Sequence, residues 1–418
     1  MLDMQYIREN IDTVKQNIQN RRMNVDIDKL IQLDEKRRDQ QTKLDNLRAE
    51  KNKWSKGKPT PEQIEQMKTL GETIKEHEEE YNKIQDKFHE LHSQVPNRAH
   101  PESPIGGEDD FLTLDKNKEP HTFPFTPKDH EELMLNLDLI DFERGAKVAW
   151  SKFYYVKNDM VRMNQALLNY SLDILQKHWY TCMETPDIAQ NKMISGAWFN
   201  PRWEEQQIYN IEWQDISLVG TAEITMLWYH ANETLDFNNG PLKYAALSHC
   251  FRTEAWSYGR TSKWLYRVHQ FTKLEMFIFC KPEESDQLHQ ELLNIEQEIM
   301  DWLEIPYRVI DIATGDLGAP AYRKFDIEAW MTMKAENGTQ WDFGEVTSTS
   351  NCTDYQARRL NIKYKDENNK SQFVHTLNGT AVVLSRFPIA IIENYQNEDG
   401  SITIPKVLQP YMGKDKIT

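Results

Sequence analysis

Residues Ser248–Phe277 read SHCFRTEAWSYGRTSKWLYRVHQFTKLEMF. Two apolar-rich runs, Tyr244–Arg252 and Tyr266–Cys280, flank a polar stretch carrying Arg252, Glu254, Arg260, Lys263 and Arg267. That pattern predicts two antiparallel strands joined by a long loop. Arginine forks bind phosphate oxygens in pairs, a carboxylate can receive an exocyclic amine, and Phe271 offers a ring on which a base can stack. Such groups suit a nucleoside triphosphate held over a sheet. A charged surface hairpin accounts for the same residues equally well, so the reading needs the rest of the chain.

The 418 residues leave room for two or three domains. No apolar run approaches the roughly 18 residues needed to span a bilayer, and the first residues, MLDMQYIREN, are charged within one turn. Neither membrane insertion nor secretion is expected, and the cytoplasm is the expected compartment. Cys182, Cys250, Cys280 and Cys352 lack metal-ligand spacing and are expected as reduced, buried thiols. A net charge of −16 requires any RNA contact to come from a local basic surface, and no DNA partner is expected.

Upstream, Leu30, Leu33, Arg37, Gln40, Leu44, Leu47, Lys51 and Trp54 step by three and four. Met67, Leu70, Ile74, His77, Tyr81, Ile84, Phe88 and Leu91 do the same, and GKPTP at Gly57–Pro61 separates the two runs. The pattern predicts an antiparallel helical coiled-coil arm about 45 Å long. Its first helix is basic through Lys36, Arg37, Arg38, Lys43, Arg48 and Lys51, and its second is acidic through Glu76, Glu78, Glu79 and Glu80. Such runs describe a solvated face or a surface lying along an RNA backbone. Ser93–Asp110, rich in Pro, Gly and acid, reads as a linker, which places the arm and linker at residues 1–108 and the body at 109–418.

In the body, amphipathic helices are expected near Lys128–Asp141 and Asn164–His178, and strands at Gln207–Ile211 and Ser217–Val219. The order predicts an α+β fold with a largely antiparallel sheet and flanking helices, not a doubly wound one. No Gly-rich phosphate loop of the Walker type occurs. In LVGTAEIT, Thr221 and Glu223 are two apart, so on a strand they would share a face and could hold an ammonium group together.

FRTEA followed by YRVHQFTKLE resembles the second signature motif of class II aminoacyl-tRNA synthetases, in the form found in seryl-tRNA synthetases. CMETPDIA after a helix resembles the first motif, GEVTSTSNCTDYQARRL the metal segment, and HTLNGTAVVLSRFPIAIIENYQ the third motif. GSITIPKVLQPYMG fits the family's ending, so the resemblance covers nearly the whole chain.

It implies a homodimer that joins serine to ATP as seryl-adenylate and passes it to tRNA(Ser), with tRNA(Sec) a further acceptor. Thr221, Glu223, Glu275 and Thr380 are implied for serine. Arg252 is implied for the α-phosphate, Glu254 for adenine, Phe271 for base stacking and Arg386 for the γ-phosphate. Glu345 and Ser348 are implied for ATP through magnesium. The catalytic set is thus Arg252, Glu275 and Arg386, and the basic helix of the arm meets tRNA. The third motif is expected as a strand, a tight turn at Asn378–Gly379 and a helix, with Glu393–Gln396 as structural support.

One feature departs from the family. Trp150, Trp179, Trp198, Trp203, Trp213, Trp228, Trp256, Trp264 and Trp302 fall where the family carries glycine, and Trp341 resembles them. The chain has 12 tryptophans but only 16 glycines, against about 29 at the usual ~7%. Two readings stand: a catalytically silent, RNA-binding homologue with genuine tryptophans, or a gene whose UGA codons are read as glycine in its host. Thr261, Ser262 and Lys263 also differ from the family's Asp-Thr-Arg.

Overall fold

A computed structural model describes residues 1–54, 60–196, 208–254, 265–335 and 338–418. It contains two compact units, Met1–Arg98 and Ala99–Thr418.

The first unit is the helical arm. Helix α1 (Ile27–Trp54) and helix α2 (Pro61–Gln94) pack along each other. The seam residues expected from the heptads are buried or half-buried from Leu30 to Lys51 and from Met67 to Leu91. Thr60 starts α2 with a capping box closed by Gln63, and Pro61 occupies the first turn, where its missing N–H costs nothing. Polar seam positions are used in pairs: Gln40 Nε2 lies 2.6 Å from His77 Nδ1, and the Arg37 guanidinium stacks 4.7 Å from the centre of Phe88. At the base, Arg8 and Arg37 reach the fully buried Asp34 at 2.6 and 2.8 Å. Burial alone would raise the pKa of Asp34, but these hydrogen bonds outweigh it and hold the carboxyl below its ordinary range.

The second unit is built on an eight-stranded sheet. In chain order its strands are β1 (Leu112–Lys116), β2 (Thr181–Glu184), β3 (Leu242–Phe251), β4 (Gln270–Cys280), β5 (Tyr307–Asp311), β6 (Arg323–Ala335), β7 (Gly338–Asn351) and β8 (His375–Val383). They lie in the order β1-β5-β6-β7-β8-β4-β3-β2, and every neighbouring pair is antiparallel except β2 with β3. The sequence expectation of a largely antiparallel α+β sheet therefore matches the fold. Segment 99–107, linker-like in composition, is hydrogen bonded within this unit: His100 N–H donates to Tyr322 O, Thr314 N–H to Pro104 O and Gly315 N–H to Gly106 O.

Strand β4 shows how the sheet is divided. Leu274, Met276, Ile278 and Cys280 join the core beneath helices α3 (Asp159–Lys177) and α5 (Ser285–Trp302), while Phe277 and Phe279 pack on the opposite side with helix α4 (Ala222–Tyr229). Alternation sends Phe271, Lys273 and Glu275 to that second face as well. Helix α6 (Phe387–Asn394) follows β8 and is buried along its whole length.

Several local expectations need correction. LVGTAEIT is not a strand through Thr221 and Glu223: the strand is Ile216–Leu218, and Thr221 caps α4 by accepting the Glu223 N–H. A hydroxyl before an acidic first turn is a helix start, and that signal outweighs the apparent alternation. Asn378–Gly379 is not a turn but lies inside β8. Lys128–Asp141 is broken into His130–Asn136 and the short strand Ile140–Asp141, with a second helix, Phe142–Ala149, following. Of Gln207–Ile211, the described part makes a single bridge at Asn210. Cys182 is exposed, whereas the other three thiols are buried.

Candidate active site

Thr221, Glu223, Arg252, Glu254, Phe271, Glu275, Glu345, Ser348, Thr380 and Arg386 all line one cleft of about 280 Å³. These are all ten residues singled out for serine, ATP and metal, drawn from a stretch running from Thr221 to Arg386. Each reaches the cleft by a local rule. Phe271 and Glu275 share a face of β4 with Lys273, Thr380 shares one of β8 with Asn378, and Thr221 and Glu223 open α4.

At one end the side chains form a saturated network. Thr221 Oγ1 donates to Glu275 Oε2 at 2.6 Å and accepts from Lys273 Nζ at 3.1 Å and from the Glu223 N–H at 3.2 Å. A hydroxyl has one donor and two acceptor sites, so this one is fully used. Lys273 also donates to Glu275 Oε1 at 2.5 Å. Glu223 accepts from Gln356 at 2.5 Å and from Asn378 at 3.2 Å. Burial first, and then the neighbouring Glu275, push the pKa of Glu223 up to about 7. Two close carboxylates make this end receptive to an ammonium group.

The other end carries a paired arginine and carboxylate. Arg386 donates to the Glu345 backbone oxygen at 3.0 Å and pairs with its carboxylate at 2.9 Å. The Arg386 guanidinium lies 4.6 Å from the centre of Tyr266. Glu345 is 39% exposed at its side chain yet flanked by protein. Burial would raise its pKa, but Arg386 and then Lys324 outweigh that and hold it below the ordinary range. Ser348 pairs across the sheet with Asp326, whose buried Oδ1 has no hydrogen-bond partner among the described residues. The Glu345 carboxylate and the Ser348 hydroxyl, both lining the cleft, are hard oxygen donors of the kind that could hold magnesium together with phosphate oxygens.

Between the ends, the Arg252 guanidinium sits 5.2 Å from the centre of Phe271, and its Nε donates to Gly220 O at 3.3 Å. Glu254 lies 3.8 Å from Arg267. Sequence reasoning missed Lys273, Tyr266, Gln356 and Asn378. Lys273 alone carried a signal, as the middle member of the Phe271, Lys273, Glu275 alternation.

Two models of known families match the chain. The seryl-tRNA synthetase N-terminal domain covers residues 1–99, and the tRNA synthetase class II core domain (G, H, P, S and T) covers residues 209–395. The Serine–tRNA ligase of Treponema denticola is 53% identical over 100% of both chains. The chain belongs to the seryl-tRNA synthetase family. The Serine–tRNA ligase of Dictyoglomus turgidum is 49% identical over 100% of this chain and 99% of its own. Among solved structures, the seryl-tRNA synthetase of Pyrococcus horikoshii complexed with ATP aligns with a TM-score of 0.89 at 36% identity, covering 100% of this chain and 99% of its own. The cytoplasmic Serine-tRNA ligase of Naegleria fowleri in complex with AMP aligns at 0.84 and 31% identity, with the same coverage.

Of the arm residues singled out for tRNA, Lys36 and Lys43 are exposed and make no ion pair among the described residues. Arg37 and Arg38 turn toward Asp34, and Arg48 meets Glu78 at 2.6 Å. Lys51 Nζ lies near Gly71. Trp198, Trp203, Trp256, Trp264, Thr261, Ser262 and Lys263 fall outside the described residues.

Trp150, Trp179 and Trp213 have φ of 59°, 64° and 66°. Trp228 is helical and donates its indole N–H to Met193 O at 2.7 Å. Trp302 ends α5, and Trp341 stacks 6.1 Å from Trp330.

Proposed function

We propose that the chain is a serine–tRNA ligase that uses this cleft in two steps. In the first, a serine carboxylate oxygen bonds to the α-phosphorus of ATP, the bond to the bridging oxygen breaks, and pyrophosphate leaves. In the second, a hydroxyl at the 3′ end of tRNA(Ser) takes the seryl group and AMP is released. No protein nucleophile is needed.

Glu223 and Glu275 hold the serine ammonium, and Thr380 contacts the side chain. Arg252 meets the negative charge that grows on the α-phosphate oxygens, the kind of stabilisation worth about 10²–10³ in rate per donor elsewhere. Glu254 accepts from the adenine amine, Phe271 carries the base, and Arg386 holds the γ-phosphate. Glu345 and Ser348 would hold magnesium, which would offset phosphate charge and orient the leaving group.

The observation that carries these roles is the convergence of all ten residues on one cleft. The same convergence favours an active enzyme over a silent homologue. An exposed edge strand, β1, with Leu112 and Leu114 open to solvent, supports assembly as a homodimer. No described helix is long and apolar enough to cross a membrane, and the proposed compartment is the cytoplasm.

The test is serine-dependent ATP–pyrophosphate exchange by protein made with the decoding of its own host. Exchange driven by serine and not by alanine is expected. Its absence sinks the reading.

A further inference from the structure

Strands β7 and β8 pair only over Thr349–Asn351 and Leu377–Gly379. Beyond Gly379 they part, and β8 also shifts its register against β4 between Thr380 and Val382. The gap lies beneath the cleft, whose lining includes Thr347 and Thr380. Both strands would leave polar groups without strand partners there. Glu296 of α5, fully buried, meets them from the other side of the sheet: Oε1 accepts the Thr380 N–H at 2.9 Å, and Oε2 bonds to Thr347 Oγ1 at 2.8 Å. Gly379 leaves room for this approach, since a Cβ there would stand 3.0 Å from Oε1.

We propose that Glu296 is a positioning residue that holds Thr380 and Thr347 across the parted β7–β8 seam and so sets the serine end of the cleft. It touches no substrate. The inference rests on the proposed role of Thr380 in serine recognition. Both Glu296 oxygens are engaged, one by a backbone N–H and one by a hydroxyl, and burial raises its pKa above the ordinary carboxyl range. A glutamine can then take its place, accepting from Thr380 through its carbonyl and donating to Thr347 through its amide.

The experiment measures KM for serine and for ATP in pyrophosphate exchange, with thermal melts to check folding. Glu296→Gln is expected to keep both values within about twofold. Glu296→Leu is expected to raise serine KM about tenfold or more while ATP KM stays near its starting value. Glu296→Asp, one methylene shorter and unable to reach both strands, serves in its place if Glu296→Leu does not fold, with the same split expected. An unchanged serine KM in folded Glu296→Leu or Glu296→Asp, or an equal rise in both values, overturns the proposal. So does a Glu296→Gln variant as impaired as Glu296→Leu. Absence of exchange in the unsubstituted protein would instead refute the functional reading itself.

Backbone geometry independently carries a second inference. Trp150 stands at φ 59°, ψ −172°, a region occupied almost only by glycine. Trp179 follows α3 in a Schellman arrangement: its N–H donates to Gln176 O at 3.1 Å, and the Tyr180 N–H donates to Leu175 O at 3.0 Å. Its position is the one glycine usually fills. Trp213 sits in a turn at φ 66°. The three side chains are 61%, 88% and 93% exposed, so burial offsets little of the backbone cost.

We infer that the native protein carries glycine at 150, 179 and 213, inserted at codons another code reads as tryptophan. Mass-spectrometric sequencing of native tryptic peptides settles it. Glycine is expected between Val148 and Lys152, between His178 and Lys192, and at position 213. Tryptophan at any of the three overturns the inference.

Discussion

Glu223 shows how one side chain's surroundings set its chemistry. It opens a helix, accepts from Gln356 and Asn378, and stands near Glu275. With its pKa pushed up to about 7, chiefly by burial, much of it is protonated at neutral pH. A serine ammonium favours the carboxylate, so binding expels the proton. The folded-state pKa is raised, and the charged form needed for binding is therefore gained as pH rises. Serine affinity should increase by about tenfold per pH unit well below 7 and level off above it. Calorimetric titrations across that range measure this, and Glu223→Gln should bind weakly with no such slope. A flat profile in the unsubstituted protein contradicts the assignment to the ammonium.

Among the elements, β8 is the most constrained. Its Asn378 and Thr380 face the cleft, while its Gly379 lies against Glu296, Met276 and Thr349, at 3.0, 3.2 and 3.2 Å from a Cβ placed there. The chain reads Asn-Gly, ordinarily a turn signal, yet this glycine serves close packing inside a strand. Gly379→Ala should destabilise the second unit by about 1–3 kcal/mol through overpacking, read as a lower midpoint in chemical denaturation. An unchanged midpoint would show that Glu296 and Met276 move aside freely. Helix α4 teaches the converse lesson. Thr221 serves both as its cap and as a member of the cleft network, so one hydroxyl ties a local helix start to a long-range site.

At the scale of the molecule, the proposed function assigns tRNA contact to the arm and adenylate chemistry to the body. Lys36 and Lys43 are exposed basic residues of α1 that form no ion pair among the described residues. Replacing both with glutamate should weaken tRNA binding about tenfold at low salt and less at high salt, while serine-dependent exchange stays unchanged. Aminoacylation KM for tRNA that matches the unsubstituted protein would remove the arm's basic helix from the contact surface. Taken alone, the amino-acid order predicted the coiled-coil arm and the antiparallel sheet, and the family that its motifs resemble implied the ten cleft residues. Heptads, alternation and long motifs are local patterns and survive without coordinates. Only the tertiary structure decided that Lys273 stands between Thr221 and Glu275, and that Glu296 supports Thr380 from beneath the sheet. Those contacts join residues 52 and 84 positions apart in the chain. Periodicity states which way a side chain faces, but only packing states what it meets.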